Sequence, residues 1–468
     1  MNYQEAVTFL ENLPVFEPSK VKSGEQIMGL ESLRALLARL GNPERKLRCI
    51  HVGGTNGKGS TVAFLRQILI EAGFRVGTFQ SPAIYHMTEQ IRLDGQEVSE
   101  EMFARAMTEV RAEVENMTEV RAENPLVGDT PPSPFEMLVA AAFLCFVEAQ
   151  VDYVILEVGL GGDTDATNVI PTPELAILTP ISYDHMDLLG ATLAEIATHK
   201  AGIIKSGGVV LTCPQEPEVM DVLQARCEEV GAELICAEMP SHGEKQHFDL
   251  PGYENLQIAL LGTYQTRNAA LAVRAAELLN DRIKFRNTIG KARKKGNQED
   301  LPRIEESHIR KGLLHTRWPA RFELIKKNPY VILDGGHNVQ GAEVLCESLQ
   351  YYFPQQKVRF VTGVLADKEY QKMMRLIAPL AEKVYTITPP NPRALSAEDL
   401  AAYIQSIGVY AEAFESLEDA IEEVVEDERE EATKCRKNGQ DKRVICIFGS
   451  LYFVGKAREY LISMHSPA

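Results

Sequence analysis

The stretch Gly53-Gly54-Thr55-Asn56-Gly57-Lys58-Gly59-Ser60-Thr61 gathers glycines, a lysine and hydroxyl side chains into one short piece of chain. Glycines adopt positive φ at little cost, so successive backbone N–H groups can turn inward around an anion. Lys58 adds a full positive charge suited to β- and γ-phosphates, and Ser60 or Thr61 offers a hydroxyl to Mg²⁺. The strict P-loop spacing is not met, because the first glycine is displaced and Gly59 separates Lys58 from Ser60. The chemistry expected here is binding of nucleotide phosphates; the alternative is a plain tight turn.

Further along lie single residues with chemical potential. Glu157 closes the apolar run VDYVILE, and a carboxylate at the end of a buried strand needs a metal or a partner. Ser81 precedes Pro82 after the run FRVGTFQ, and read from the residues alone it is a turn serine. His185, in Ile181-Ser182-Tyr183-Asp184-His185-Met186-Asp187, reads as structural or as a metal ligand. Lys200, in Thr198-His199-Lys200-Ala201-Gly202-Ile203-Ile204-Lys205, reads by itself as a surface helix lysine.

The elements that must position these residues follow an alternating pattern. Residues 1–46 read as two amphipathic helices split near Pro14 and Pro18. Residues 47–54 read as a buried strand, and Val62, Leu65, Ile68, Leu69 and Ala72 have helical spacing. The positive end of that helix would face the glycine loop. Strands are also expected at 74–80, 151–159, 174–180 and 207–213, with helical stretches between or beside them. This pattern predicts an α/β fold: a mostly parallel sheet with helices on both faces.

From about residue 317 a second α/β pattern begins, with strands at 330–336, 357–365, 382–388 and 443–450. The expected domains are therefore 1–316, carrying the phosphate loop, and a smaller one at 317–468. The polar stretch 281–312 reads as a surface insertion leading into an interdomain linker, with a substrate-attracting basic strip as the alternative. The near-duplicate MTEVRAEVEN and MTEVRAEN at 107–124, and the acidic run 414–431, read as exposed helices.

Composition excludes several classes. The chain has 468 residues, 45% apolar and 25% charged, with a formal charge of −17. That charge disfavours nucleic acid as a partner. No stretch approaches the length of a membrane-spanning helix, and the start MNYQEAVTFLENLPVF is not read as a secretory signal. Eight scattered cysteines with no C-x-x-C pair read as buried free thiols of a reducing cytosol, so a cytoplasmic location is expected.

Taken together the motifs resemble the folylpolyglutamate synthase and dihydrofolate synthase family, a branch of the Mur ligase superfamily. GTNGKGST looks like that family's phosphate loop, with Gly54, Thr55, Asn56, Gly57, Lys58, Gly59, Ser60 and Thr61 in it. The resemblance implies ATP and Mg²⁺, with two ions expected, held by Ser60, Ser81, Glu157 and His185. It implies that Lys200 is carbamylated and becomes a carboxylate-like metal ligand, which needs the neutral amine that burial favours. A monovalent cation is a further candidate. Gly262-Thr263-Tyr264-Gln265-Thr266-Arg267-Asn268-Ala269 resembles G-x-H-Q-x-x-N-A, which puts Asn268 on the nucleotide base; Tyr264 stands where histidine is usual. Trp318-Pro319-Ala320-Arg321-Phe322-Glu323 resembles W-P-G-R-x-E, and Arg321 is expected to reach the phosphates across an interdomain cleft. Leu333-Asp334-Gly335-Gly336-His337-Asn338 resembles L-D-G-A-H-N, which assigns Asp334 to nucleotide and His337 to the reacting groups or incoming glutamate. Ser450 in Gly449-Ser450-Leu451-Tyr452 becomes a glutamate-site candidate, and Asp165 a residue for the pterin-side substrate. Asp163 departs from the arginine the family usually carries.

The implied activity joins L-glutamate to a folate or dihydropteroate carboxylate through an acyl phosphate. Lys58, Lys200 and His337 are the expected catalytic residues. The expected partners are small molecules only, and the expected state is a monomer. A peptidoglycan-type Mur ligase is the nearest enzyme alternative, disfavoured because only 52 residues precede Gly53. A nucleotide-regulated binding module without ligase activity is the alternative from another class. Preference between dihydropteroate and tetrahydrofolate, and glutamate chain length, are not written in these motifs.

Overall fold

The computed structural model describes residues 1–13, 30–83, 85–123, 131–240, 243–292, 301–434 and 443–464. The chain forms two compact units. The first comprises Met1–Ser241, Asp249–Gln257 and Arg267–Thr316, and the second His242–Phe248, Ile258–Thr266 and Arg317–Ala468.

The first unit is built on an eight-stranded sheet. Its strands are β1 (Cys49–Gly53), β2 (Val76–Phe79), β3 (Ile91–Leu93), β4 (Gln96–Glu97), β5 (Tyr153–Glu157), β6 (Leu175–Leu178), β7 (Val209–Thr212) and β8 (Glu233–Cys236). Their order is β4-β3-β2-β5-β1-β6-β7-β8, with β3 and β4 antiparallel at one edge and the rest parallel. β1, β2, β5 and β6 are buried along their whole length, as expected for parallel strands covered on both faces. Cys49, Phe79, Val154 and Leu156 pack into one core with the helices Glu31–Arg39, Glu100–Glu123 and Pro134–Glu148. Leu178, Val210, Ile196, Ala197 and Ile203 form another with the helix Leu193–Ala201. Short strands β9 (Gly243–Glu244), β10 (His247–Leu250) and β11 (Tyr253–Gln257) follow in the chain.

The second unit carries a six-stranded sheet of β12 (Glu323–Lys327), β13 (Tyr330–Asp334), β14 (Val358–Thr362), β15 (Ala381–Thr386), β16 (Ala411–Ala413) and β17 (Val444–Phe448). The order is β12-β13-β17-β14-β15-β16, parallel except for β12. Both units are thus α/β with mostly parallel sheets.

Three expectations about the surface change. The repeat at 107–124 lies in the helix Glu100–Glu123, but Phe103, Met107, Val110, Val114 and Met117 are buried. Their spacing makes one apolar stripe, which the conspicuous charges conceal. The acidic run lies in the helix Leu417–Lys434, and its inner face buries Ala420, Ile421 and Val424. That face also brings Glu428 within 3.2 Å of the buried Arg359 and Asp427 within 2.9 Å of Lys383. The stretch 281–312 is not a linker in its described parts. Residues 281–292 end the helix Gln265–Ala292, and Glu306–His315 is a helix of its own. Among its described basic residues, Arg282 and Arg286 both pair with Glu174. Residues 293–300 lie outside the described residues.

Cys49, Cys145, Cys213, Cys227 and Cys446 are free and buried; Cys346 is half-buried and Cys236 exposed, while Cys435 lies outside the described residues. Burial pushes the thiols of Cys49, Cys145 and Cys213 up to about 12, so none is a ready nucleophile. Among the described residues no helix is long and apolar enough to cross a membrane.

The helix Glu306–His315 rests against Lys58–Glu71, the helix behind the phosphate loop. A Cβ added at Gly312 would lie 2.6 Å from Ile68 Cα. Gly312→Val is therefore expected to destabilise the first unit by about 1–3 kcal/mol in urea unfolding. A neutral effect would mean that this helix does not pack there.

Candidate active site

β1, β5 and β6 are neighbours, and their carboxyl ends open one crevice. The chain leaves β1 toward β2 on one side, while β6, β7 and β8 lie on the other. Ligands of open α/β sheets bind at such a reversal. Gly53 and Gly54 leave β1, Glu157 ends β5, and Thr179 and Pro180 follow β6.

The glycine loop is stitched to the turn after β6. Thr55 N donates to Pro180 O at 2.9 Å, and Thr55 Oγ1 donates to Ser182 O at 3.1 Å while Ser182 N donates back at 3.0 Å. Gly54 has φ +129, and a Cβ there would meet Thr179 Oγ1 at 2.0 Å. Gly57 has φ +87, and a Cβ there would meet Asn268 Oδ1 at 2.4 Å. Only glycine fits either place. The second contact also sets Asn268, buried in the first turn of the helix Gln265–Ala292, directly against the loop. The helix Lys58–Glu71 starts at once, burying Ser60 and Thr61 in its first turn.

Lys58 Nζ donates to Gly54 O at 3.1 Å and to Thr55 O at 3.0 Å. Lys200 Nζ, from the last turn of the helix Leu193–Ala201, reaches the same Gly54 O at 3.0 Å. Lys200 is therefore not a surface lysine, as its residue type alone suggested, but 5% exposed. Loss of hydration and then the charge of Lys58 hold its pKa down to about 7, against partial support from Asp184 and Asp165. Near neutral pH a large fraction of its amine is unprotonated.

Glu157 is 8% exposed, and Gln80 Nε2 donates to its Oε2 at 3.0 Å. Ser81 follows Gln80, with its Oγ beside Gly159: a Cβ there would meet it at 3.3 Å. His185 has φ 50 and opens the short helix Met186–Leu189. Its ring Nε2 is 3.9 Å from Asp184 Oδ1. Asp165 is buried, and its carboxylate accepts from Gly159 N and Leu160 N at 2.9 Å, from Thr167 N at 3.0 Å and from the Thr167 hydroxyl. Desolvation still pushes its pKa up. The lone pairs of Asp165 are thus committed to the loop after β5.

The chemistry of these residues, oxygen donors and a buried carboxylate, is of the kind that Mg²⁺ accepts. Among the described residues no group of three or more His, Cys, Asp and Glu is placed to hold a metal. Mg²⁺ commonly takes one or two carboxylates and completes its shell with phosphate and water. Glu157 ends β5, and Ser60 and Ser81 lie on the segments that leave β1 and β2, so oxygen donors stand at the ends of neighbouring strands.

In the second unit β13 and β17 are parallel neighbours, and the remaining candidates lie at or beyond their carboxyl ends. Asp334, at the end of β13, accepts from Phe322 N at 2.8 Å, Gly336 N at 2.7 Å and the Tyr264 hydroxyl at 3.2 Å. Burial raises its pKa, with the nearby Arg321 working against that. Tyr264, standing where the family has histidine, thus anchors Asp334. Arg321 lies against Gly335, where a Cβ would meet its Nη1 at 2.3 Å. His337 Nδ1–H donates to Gly335 O at 2.9 Å. Ser450 is buried and caps the helix Leu451–Ser463, accepting from Tyr452 N at 3.3 Å.

The candidate residues therefore fall into two sets. The phosphate loop, Ser81, Glu157, Asp165, His185, Lys200 and Asn268 belong to the first unit, and Arg321, Asp334, His337 and Ser450 to the second. Sequence reasoning missed Gln80, although it is a polar residue closing a buried strand, as Glu157 is. It also missed Asp184, which directly precedes His185 in the quoted stretch 181–187.

Comparison with known proteins agrees with this architecture. The Mur ligase middle domain family matches residues 52–276, and the Mur ligase glutamate ligase domain matches residues 320–451. A Bacillus subtilis dihydrofolate synthase/folylpolyglutamate synthase is 35% identical over 445 residues, covering 92% of this chain and 95% of that protein. A solved Mycobacterium tuberculosis folylpolyglutamate synthase complexed with ADP and AMPPCP has TM-score 0.82 at 28% identity, covering 100% of this chain and 99% of that one. A solved complex described as FPGS-AMPPCP-folate has TM-score 0.78 at 30% identity, covering 99% and 100%. The two units are thus those of a Mur-type ligase. Within that class, the chain belongs to the dihydrofolate synthase/folylpolyglutamate synthase family.

The Lys200 geometry predicts a pH signature. Below about pH 7 both folded and unfolded chains hold the proton, so folding bears the full cost of burying the charge. As pH rises from about 7 toward 10.5 only the unfolded chain keeps it, and the cost fades. In CO₂-free buffer at about pH 6, Lys200→Met should be more stable than the parent by on the order of 1 kcal/mol or more. The gap should shrink toward about pH 10 in denaturant melts. A less stable variant at low pH would contradict the burial.

Proposed function

We propose that the chain ligates L-glutamate to the carboxylate of a folate-type substrate at the expense of ATP. The observation that carries this reading is the meeting of Lys58 and Lys200 on Gly54 O, at the positive end of the helix Lys58–Glu71, with the carboxylate Glu157 at the next strand end. Such a place attracts a polyphosphate through backbone N–H groups, helix dipole and ammonium charge together.

In the reaction, a carboxylate oxygen of the folate-type substrate bonds to the γ-phosphorus, and ADP leaves with the bridging oxygen. The glutamate nitrogen then bonds to the acyl carbon, phosphate departs with its oxygen, and the nitrogen gives up a proton. Lys58 and Arg321 neutralise charge on the transferred group. Asn268 contacts the nucleotide beside the loop, and Asp334 fixes the segment that carries Arg321. His337 helps to orient the incoming amine, while Ser450 lies on the glutamate side. Asp165 shapes the loop that receives the pterin-side substrate.

Ser60, Ser81, Glu157 and His185 are the residues that would hold Mg²⁺, which supplies Lewis-acid stabilisation of phosphate charge when bound. The unprotonated amine of Lys200 suits bonding to CO₂ with loss of a proton, giving a carbamate that adds a further oxygen ligand. The double name of the Bacillus subtilis relative supports action on both dihydropteroate and reduced folates. A cytoplasmic monomer acting on small molecules fits the composition.

The test is ADP release measured with ATP and Mg²⁺. Release should require both glutamate and a pteroate-type acceptor, and product mass should rise by one glutamyl residue. Lys58→Ala or Lys200→Ala should abolish turnover with unfolding curves still cooperative, a loss of roughly 100-fold or more. Acceptor-independent ADP release, or full activity in either variant, would overturn the reading.

A further inference from the structure

The loop 159–168 and the end of the helix Leu193–Ala201 interlock around Lys200. Asp163 N donates to His199 O at 2.9 Å, and His199 Nδ1–H donates to Asp163 Oδ2 at 2.9 Å. Asn168 Nδ2 donates to Asp163 O and Gly202 O, each at 3.1 Å. Lys205 Nζ donates to Asn168 O at 2.8 Å and also to Ile170 O. Gly162 and Gly202 allow the closest approach: a Cβ on Gly162 would meet Lys200 Cα at 3.0 Å, and one on Gly202 would meet Asp163 Cα at 2.4 Å. Backbone contacts thus fix the loop on both flanks of Lys200, and the Asp163–His199 pair is the side-chain part of that lock.

We propose that Asp163 and His199 are positioning residues. Their pair holds the loop after β5 onto the helix end, so that the Lys200 amine stays on Gly54 O. Asp163 does not contact substrate. The position where the family usually carries arginine has here become part of the scaffold of Lys200. Both side chains are about one-third exposed, so the bond is dispensable for folding while it restricts the helix end. This inference rests on the functional reading above, in which Lys200 belongs to the active centre.

The test uses full-length Asp163→Ala, His199→Ala, the double variant and His199→Asn, which keeps a donor near the Nδ1 position. Each alanine variant should lower kcat about three- to ten-fold, with KM for the folate-type substrate unchanged within about two-fold. The double variant should be no worse than the worse single one, and His199→Asn should recover most of the rate. In parallel, acetylation of Lys200 by sulfosuccinimidyl acetate, read by peptide mass, should accelerate several-fold in the alanine variants and not in His199→Asn. A raised KM with intact kcat in Asp163→Ala, multiplicative losses in the double variant, or unchanged Lys200 labelling would each overturn the proposal. The labelling needs no turnover. An inactive parent therefore rejects the functional reading, while labelling still decides the positioning role.

Discussion

Two lysine side-chain nitrogens share one carbonyl oxygen, and the rest of the first unit is arranged around that fact. Lys58 and Lys200 both reach Gly54 O at about 3 Å. They are then no more than roughly 6 Å apart, and if both are charged their repulsion is on the order of 3 kcal/mol at an effective dielectric near 20. The fold offers two ways to relieve it. Lys200 can lose its proton, which burial already favours, or an anion can enter between the lysines. The first would leave a neutral amine and the second would place an anion between two positive charges.

The sheet creates this conflict by ordinary means. β1 is central, and its neighbours β5 and β6 deliver Glu157 on one side and the Thr179–Pro180 turn on the other. The turn accepts the loop's N–H groups, and Thr179 packs so tightly on Gly54 that no side chain fits there. Ile203, just beyond Lys200, packs near Gly53, which ties the helix end to the same strand. The second unit repeats the device on a smaller sheet. There Asp334 gathers donors from three segments and orders the turn that carries Arg321.

Much of this was legible in the sequence where local pattern and burial agree. Each expected strand overlaps an observed one, because a strand covered on both faces must be apolar throughout. The glycine loop was legible because positive φ restricts the residue type. What was not legible depended on contacts distant in sequence. Lys200 reads as a surface residue because nothing near it in sequence says that Gly54 will lie beside it. The helix at 306–315 was hidden because a single glycine, Gly312, makes its packing on Ile68 possible. The charge-rich helices concealed apolar stripes, and only the bonding around Asp163 and Tyr264 shows what these departures from the family pattern do.

On this reading the Lys58–Lys200 pair waits for phosphate. A crystal structure of this chain with Mg²⁺ and a non-hydrolysable ATP analogue tests it most directly. The β- and γ-phosphates should lie in the glycine loop, with Lys58 Nζ turned from Gly54 O onto a phosphate oxygen. A nucleotide bound elsewhere, or phosphates in the loop with Lys58 still held by the two backbone carbonyls, would contradict it.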